Sequence, residues 1–238
     1  MSKFVSFITA GDPSLGKTKE FIEVLAEHSD IIEIGLPFSD PLAEGEVIEE
    51  SNKRALENGT KTDGVFDMLE TVEFENLVIL TYINPIFVYG PEKFFKRCKE
   101  AEVKGVVVPD LPFEERDEIA SSADKYGVHI ITLIAPTSED RIQMLAKNAR
   151  GFIYLVSSMG VTGVRSEFTV NLEEIVKQIR EVTDVPIMIG FGISTPEQAE
   201  NMRKIADGII VGSAFVKIIK EHGENSSPYI RKFIKEMI

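Results

Sequence analysis

Eight apolar runs of strand length recur along this chain, and longer amphipathic stretches separate them. The runs occupy residues 4–9, 31–35, 77–82, 105–109, 128–134, 151–157, 185–190 and 208–211. Helical spacing marks the stretches at 17–28, 47–58, 91–103, 113–126, 139–148, 172–182 and 196–205, and helices at 214–221 and 228–237 close the chain. Runs that are apolar throughout, rather than alternating, belong to strands buried on both faces, as in parallel sheets. Eight strand–helix units in 238 residues match a (β/α)8 TIM barrel, whose usual size is about 250 residues. The expected fold class is therefore α/β, as one barrel domain spanning residues 1–238. An open doubly wound sheet is the alternative. Against it, the turn after the first run is Thr9-Ala10-Gly11-Asp12-Pro13, which lacks the dinucleotide-binding glycine pattern.

Local signals agree with these boundaries. Ser138-Glu139-Asp140 and Ser194-Thr195-Pro196-Glu197 offer caps and first-turn acids, and Gly59 and Gly127 fall just past helix ends. No Gly/Ser-rich linker divides the chain. The net charge of −13 repels nucleic acid and anionic membranes, so neither is an expected partner. No apolar run reaches the roughly 18 residues of a membrane span, and the N-terminus lacks a signal-peptide layout. One cysteine, Cys98, fits a reducing cytoplasm, and its helical surroundings point to a buried apolar role. His28, His129 and His222 are scattered without metal-ligand spacing, so no metal site is expected.

Glu33 is the lone carboxylate in the apolar run Ile31-Ile32-Glu33-Ile34-Gly35. A charge in such a strand is costly unless it is protonated, paired or catalytic. It either escapes to solvent at the strand end or does chemistry at the barrel mouth. A second signal lies near the C-terminus. The seventh run leads into Gly190-Phe191-Gly192-Ile193-Ser194, and the eighth into Gly212-Ser213-Ala214 opening a helix. The loops after strands seven and eight of such barrels often hold phosphate on backbone N–H groups, where a Cβ would keep the anion away. Glycines that merely permit tight turns would look the same. A third turn, Gly160-Val161-Thr162-Gly163, follows the sixth run, with Arg165 just beyond it.

These residues together resemble the α subunit of tryptophan synthase. The resemblance covers nearly the whole chain: Phe7-Ile8-Thr9-Ala10-Gly11-Asp12-Pro13, then Glu33 through Pro37-Phe38-Ser39-Asp40-Pro41-Leu42-Ala43, Thr81-Tyr82-Ile83-Asn84-Pro85 and Pro109-Asp110-Leu111-Pro112. It continues through Tyr154-Leu155-Val156-Ser157 to the three glycine turns. It implies a lyase that splits indole-3-glycerol phosphate into indole and glyceraldehyde 3-phosphate, with Glu33 as the catalytic glutamate. The family's second acid falls at Glu44, where its pattern has aspartate; one added methylene shifts a carboxylate by roughly an ångström. The first strand starts within a few residues of the N-terminus, so a short form without the leading helix of many members is expected.

The resemblance also implies phosphate binding by Gly163, Gly192, Gly212 and Ser213. Substrate contacts fall on Phe7, Leu80, Tyr82, Tyr154, Thr162 and Phe191, with Tyr154 as a hydrogen-bond partner of Glu33. Each of these could instead be ordinary barrel core, and Thr162 could simply stabilise its turn. Asp40 and Pro41 would face a β subunit in an α2β2 heterotetramer. Pyridoxal phosphate would belong to that partner, leaving this chain with no cofactor. Two other functions stay open: a phosphate-handling epimerase or isomerase using acids such as Asp110, or an impaired regulatory binding subunit.

Overall fold

The computed structural model describes residues 2–157, 172–190 and 192–238. Its elements run β1 (Lys3–Thr9), α1 (Leu15–Ala26), β2 (Ile31–Gly35), α2 (Glu46–Glu57), α3 (Thr62–Leu69), β3 (Leu77–Leu80), α4 (Ile83–Tyr89), α5 (Pro91–Glu100), β4 (Val103–Val107) and α6 (Asp117–Tyr126). They continue with β5 (His129–Ile130), β6 (Thr132–Ile134), α7 (Ile142–Lys147), β7 (Ile153–Val156), α8 (Leu172–Arg180), β8 (Ile187–Gly190), α9 (Pro196–Arg203), β9 (Gly208–Val211), α10 (Ser213–His222) and α11 (Ser227–Met237). All strand pairings are parallel, in the order β5-β4-β3-β2-β1-β9-β8-β7-β6.

The two ends of that order are halves of one strand. The expected fifth strand breaks at Ile131, whose N–H donates to the Val106 carbonyl at 2.9 Å. Its first half pairs with β4 and its second with β7, which closes the barrel.

Period-two alternation sorts the strand residues into two cores. Val5, Phe7, Val78, Leu80, Val107, Tyr154, Met188 and Ile210 fill the barrel interior. Phe4, Ile8, Ile32, Ile34, Ile79, Ile153, Leu155, Ile189 and Ile209 pack outward, in one cluster with helix residues such as Phe21, Leu25, Phe94 and Phe215. Most strands are thus buried on both sides, which is why the runs carry little polar alternation. Interior space is shared between large and absent side chains. A Cβ on Gly35 would come within 2.8 Å of the Phe7 ring, and one on Gly190 within 2.6 Å of the Tyr154 hydroxyl.

Several boundaries differ from the sequence reading, each for a local reason. The helix starting at Pro91 ends at Glu100, because Glu102 adopts φ +56 and turns the chain into β4 two residues early. Two helices were not foreseen, α3 and α4. In α4, Asn84-Pro85 looks like a turn. Pro85 sits in the first helical turn, where its missing N–H has no intrahelical acceptor anyway. Asp110 completes that start by accepting the Ile83 N–H at 3.0 Å. Ser138 does not cap an α-helix. Residues Pro136–Arg141 form 3-10 turns, with the Ala135 N–H on the Ser138 hydroxyl at 3.1 Å, before α7 begins. At α9 the expected cap is present as a capping box between Thr195 and Gln198, and Gly127 ends α6 in the left-handed region.

No helix among the described residues is long and apolar enough to cross a membrane.

Candidate active site

Strand register sets the site. β2 carries Glu33 beside Phe7 on β1 and Val78 on β3, and the next inward row toward the C-terminal ends holds Gly35 and Leu80. Because Gly35 has no side chain, the Phe7 ring leans into that row. Above lies a cavity of about 370 Å3 at the C-terminal ends of the strands. Its walls include Phe7, Glu33, Leu80, Tyr154 and Ile210 from the strands. Glu44, Gly45, Glu46, Val47 and Ile48 come from the end of the β2 loop and the start of α2, and Gly192, Ile193, Gly212, Ser213 and Lys217 from the far end.

Glu33 does not escape to solvent. It is 1% exposed, and among the described residues neither carboxyl oxygen has a hydrogen-bond partner. Burial, reinforced by the charge of Glu44, pushes its pKa up to about 8. The Tyr154–Glu33 hydrogen bond implied by the resemblance is therefore absent. Tyr154 lines the same cavity, and its hydroxyl is pushed well above the ordinary tyrosine range by burial and then by the two glutamates.

Glu44 is partly buried, and desolvation raises its pKa to about 7. The Asn52 amide opposes that rise, donating to Glu44 Oε2 at 2.9 Å. Two of the carboxyl groups lining this cavity are thus poised near neutrality by burial. Such a pair can donate a proton from one member and stabilise positive charge with the other.

The far end of the cavity is lined by two glycine turns and the start of α10. Gly192 adopts φ +78, a conformation that leaves a backbone turn with no side chain in the way. Gly212 caps α10 with no side-chain hydrogen bond, so the first N–H groups of that helix have no intrahelical acceptor. Lys217, one turn into α10, is the sole cation among the described lining residues. Sequence reading missed it by stopping at the glycine turn; the signal was a lysine four residues after Ser213. It missed Asn52 too, although a polar residue on the inward face formed by Val47, Ile48, Ser51 and Ala55 was the clue.

Other expected site residues lie elsewhere. Tyr82 is buried, but it is not on the cavity wall. Its ring packs on Phe38, and its hydroxyl accepts the N–H groups of Leu42 and Ala43 at 3.1 Å each. Asp40 and Pro41 sit on the loop that Tyr82 holds; Asp40 is exposed and hydrogen-bonds Ser39. Thr162, Gly163 and Phe191 lie outside the described residues. Among the described residues, no group of three His, Cys, Asp or Glu side chains could hold a metal.

Fold and site together define a (β/α)8 barrel whose C-terminal mouth gathers two buried, pKa-raised carboxyl groups in one cavity. A family model described as tryptophan synthase alpha chain matches residues 1–237. The chain belongs to the tryptophan synthase alpha chain family. The tryptophan synthase alpha chain of Lacticaseibacillus casei is 48% identical over 238 residues, covering 98% of this chain and 90% of that relative. The tryptophan synthase subunit alpha of Campylobacter jejuni superposes with TM-score 0.89 at 38% identity, covering 100% of this chain and 96% of the other. A chain from the tryptophan synthase α2β2 complex of Pyrococcus furiosus superposes with TM-score 0.90 at 34% identity, covering 100% and 99%.

Proposed function

We propose that Glu33 and Glu44 divide the chemistry of the family's lyase reaction, the cleavage of indole-3-glycerol phosphate to indole and glyceraldehyde 3-phosphate. The observation that carries the assignment is the buried, unpartnered Glu33 carboxyl at the cavity floor, whose pKa burial pushes up to about 8. A neutral carboxylic acid there protonates C3 of the indole ring, which becomes an indolenine with positive charge on nitrogen. Glu44, ionised through part of the neutral range, faces that charge. Loss of the proton from the glycerol hydroxyl then turns that C–O bond into the aldehyde. The electron pair of the breaking carbon–carbon bond returns to the ring and restores aromatic indole. Glu33, left as a carboxylate by the first step, is the base within reach for that proton.

Phe7, Leu80, Tyr154 and Ile210 form the apolar wall against which an indole ring packs. Gly192, Gly212 and Ser213 present backbone N–H groups to the phosphate, with Lys217 as counter-charge. Gly163, Thr162 and Phe191 are assigned to the substrate by resemblance alone. The loop bearing Asp40 and Pro41 faces a β subunit, as in an α2β2 assembly; the exposed side chain of Leu42 on the same loop is apolar surface for such a contact. Pyridoxal phosphate belongs to that partner, and the setting is the cytoplasm.

The epimerase or isomerase reading loses its acid. Asp110 accepts the Ile83 N–H at the start of α4 and does not line the cavity. The impaired-subunit reading rests on Glu44 standing where the family has aspartate, yet Glu44 lines the cavity with its carboxylate oriented by Asn52. Indole release from indole-3-glycerol phosphate, with and without a cognate β subunit, tests the assignment. Turnover in the parent and none in Glu33→Gln is expected, with glycerol 3-phosphate affinity within a few-fold. Turnover retained by Glu33→Gln would remove Glu33 from the mechanism.

A further inference from the structure

Glu44 and Glu33 line one cavity but are held differently. Glu33 extends from a strand and touches no polar partner among the described residues. Glu44 lies in the loop just before α2, where backbone alone gives weak control over a side chain with three torsions. Its control comes from the helix. Asn52 is 3% exposed on the inward face of α2, and its Nδ2 donates to Glu44 Oε2 at 2.9 Å.

That helix is fastened at two points flanking Asn52, to the end of β1 and to the turn that follows it. Ser51 and Thr9 share a hydroxyl–hydroxyl hydrogen bond of 2.6 Å. Arg54 grips Asp12 with both Nε and an Nη, at 3.0 and 2.7 Å. Asn52 therefore belongs to a fixed frame, and the loop carboxylate is referred to it.

We propose that Asn52 is the positioning residue for Glu44, tying down one carboxylate oxygen so that the other faces the indole nitrogen. This rests on the reading of Glu44 as the group that steadies the ring cation. The chemistry explains the residue type. A lysine or arginine in the same place would neutralise the carboxylate and spend the charge the ring nitrogen needs. A neutral amide fixes the geometry and leaves the charge available. Its hydrogen bond also favours the ionised form, opposing the desolvation that would otherwise keep Glu44 protonated. The bond further sets where the longer glutamate side chain ends.

The test is a double-mutant cycle of Asn52→Ala and Glu44→Gln, read by single-turnover indole release across pH, with thermal unfolding and glycerol 3-phosphate binding as controls of the fold. In the parent background, Asn52→Ala should lower the rate about tenfold to a hundredfold. KM should stay within about twofold, and the ascending limb of the pH profile should move to higher pH. In the Glu44→Gln background the same substitution should change the residual rate by less than about twofold. Asn52→Asp keeps the shape without the donor, so it guards against a folding failure; it should move the limb further up.

Equal rate losses in both backgrounds, or an unmoved limb, would overturn the positioning role. Full turnover by Glu44→Gln alone would instead overturn the reading of Glu44 itself.

Discussion

The Tyr82 hydroxyl accepts the backbone N–H groups of both Leu42 and Ala43, so the chain just past β3 holds the loop that delivers Glu44. Tyr82→Phe keeps the ring packed on Phe38 and removes only that acceptor. Stability should fall by about 1–2 kcal/mol for two lost hydrogen bonds. The rate of indole release should fall about tenfold as Glu44 loses its placement. An unchanged rate, with the stability loss present, would show that the loop holds its shape without Tyr82.

The two carboxyl groups set opposite limbs of the pH profile. Glu44 must be ionised to face the ring cation, and Glu33 protonated to donate. With pKa values near 7 and 8, the rate should rise through about pH 7 and fall through about pH 8. A steady-state profile flat from pH 6 to 9 would contradict this division of labour.

Burial of Glu33 also gives stability a pH dependence of determined sign. Its folded pKa lies near 8, above the ordinary value of 4.5. Between those values the folded chain binds the extra proton, so stability falls as pH rises through this window. Glu33→Gln removes the effect. The variant should gain on the parent in thermal unfolding from about pH 5 to about pH 8, then keep a constant lead. A lead independent of pH would mean that Glu33 is already ionised in the folded chain at neutral pH.

Lys217 has no ion pair or hydrogen bond among the described residues and shares the cavity with three carboxyl groups: Glu33, Glu44 and Glu46. Lys217→Met should raise KM for the phosphorylated substrate about threefold to tenfold while sparing the maximal rate, since an exposed charge acts through screened attraction. Inhibition by inorganic phosphate should weaken by a similar factor, and its salt dependence should flatten. Unaltered phosphate inhibition would leave the backbone turns as the whole anion site.

The barrel was legible in the sequence because burial on both faces writes itself as unbroken apolar runs, and seven of the eight runs each hold a single strand. The eighth case, residues 128–134, breaks at Ile131 only because it must pair with β4 on one side and β7 on the other. That demand comes from closure, and no local pattern states it. Glu33 stood out as a charge among isoleucines, and the glycine turns as punctuation after strands. Tyr82 was misplaced because an aromatic at a strand end looks the same whether it lines a cavity or anchors a loop. Asn52 and α4 stayed hidden for one reason: their meaning lies in partners far along the chain, Glu44 for the amide and Asp110 for the helix start.

Phe7 occupies room left by two glycines at once. A Cβ on Gly35 would meet its ring at 2.8 Å, and one on Gly212 at 3.1 Å. The three positions are therefore sterically coupled. A side chain at 35 would force the Phe7 ring to move, and one at 212 would press on the same ring, so either change disturbs the wall and the glycine turn after β9 at once. Wall and turn thus meet on one ring, and a change in either is felt by the other.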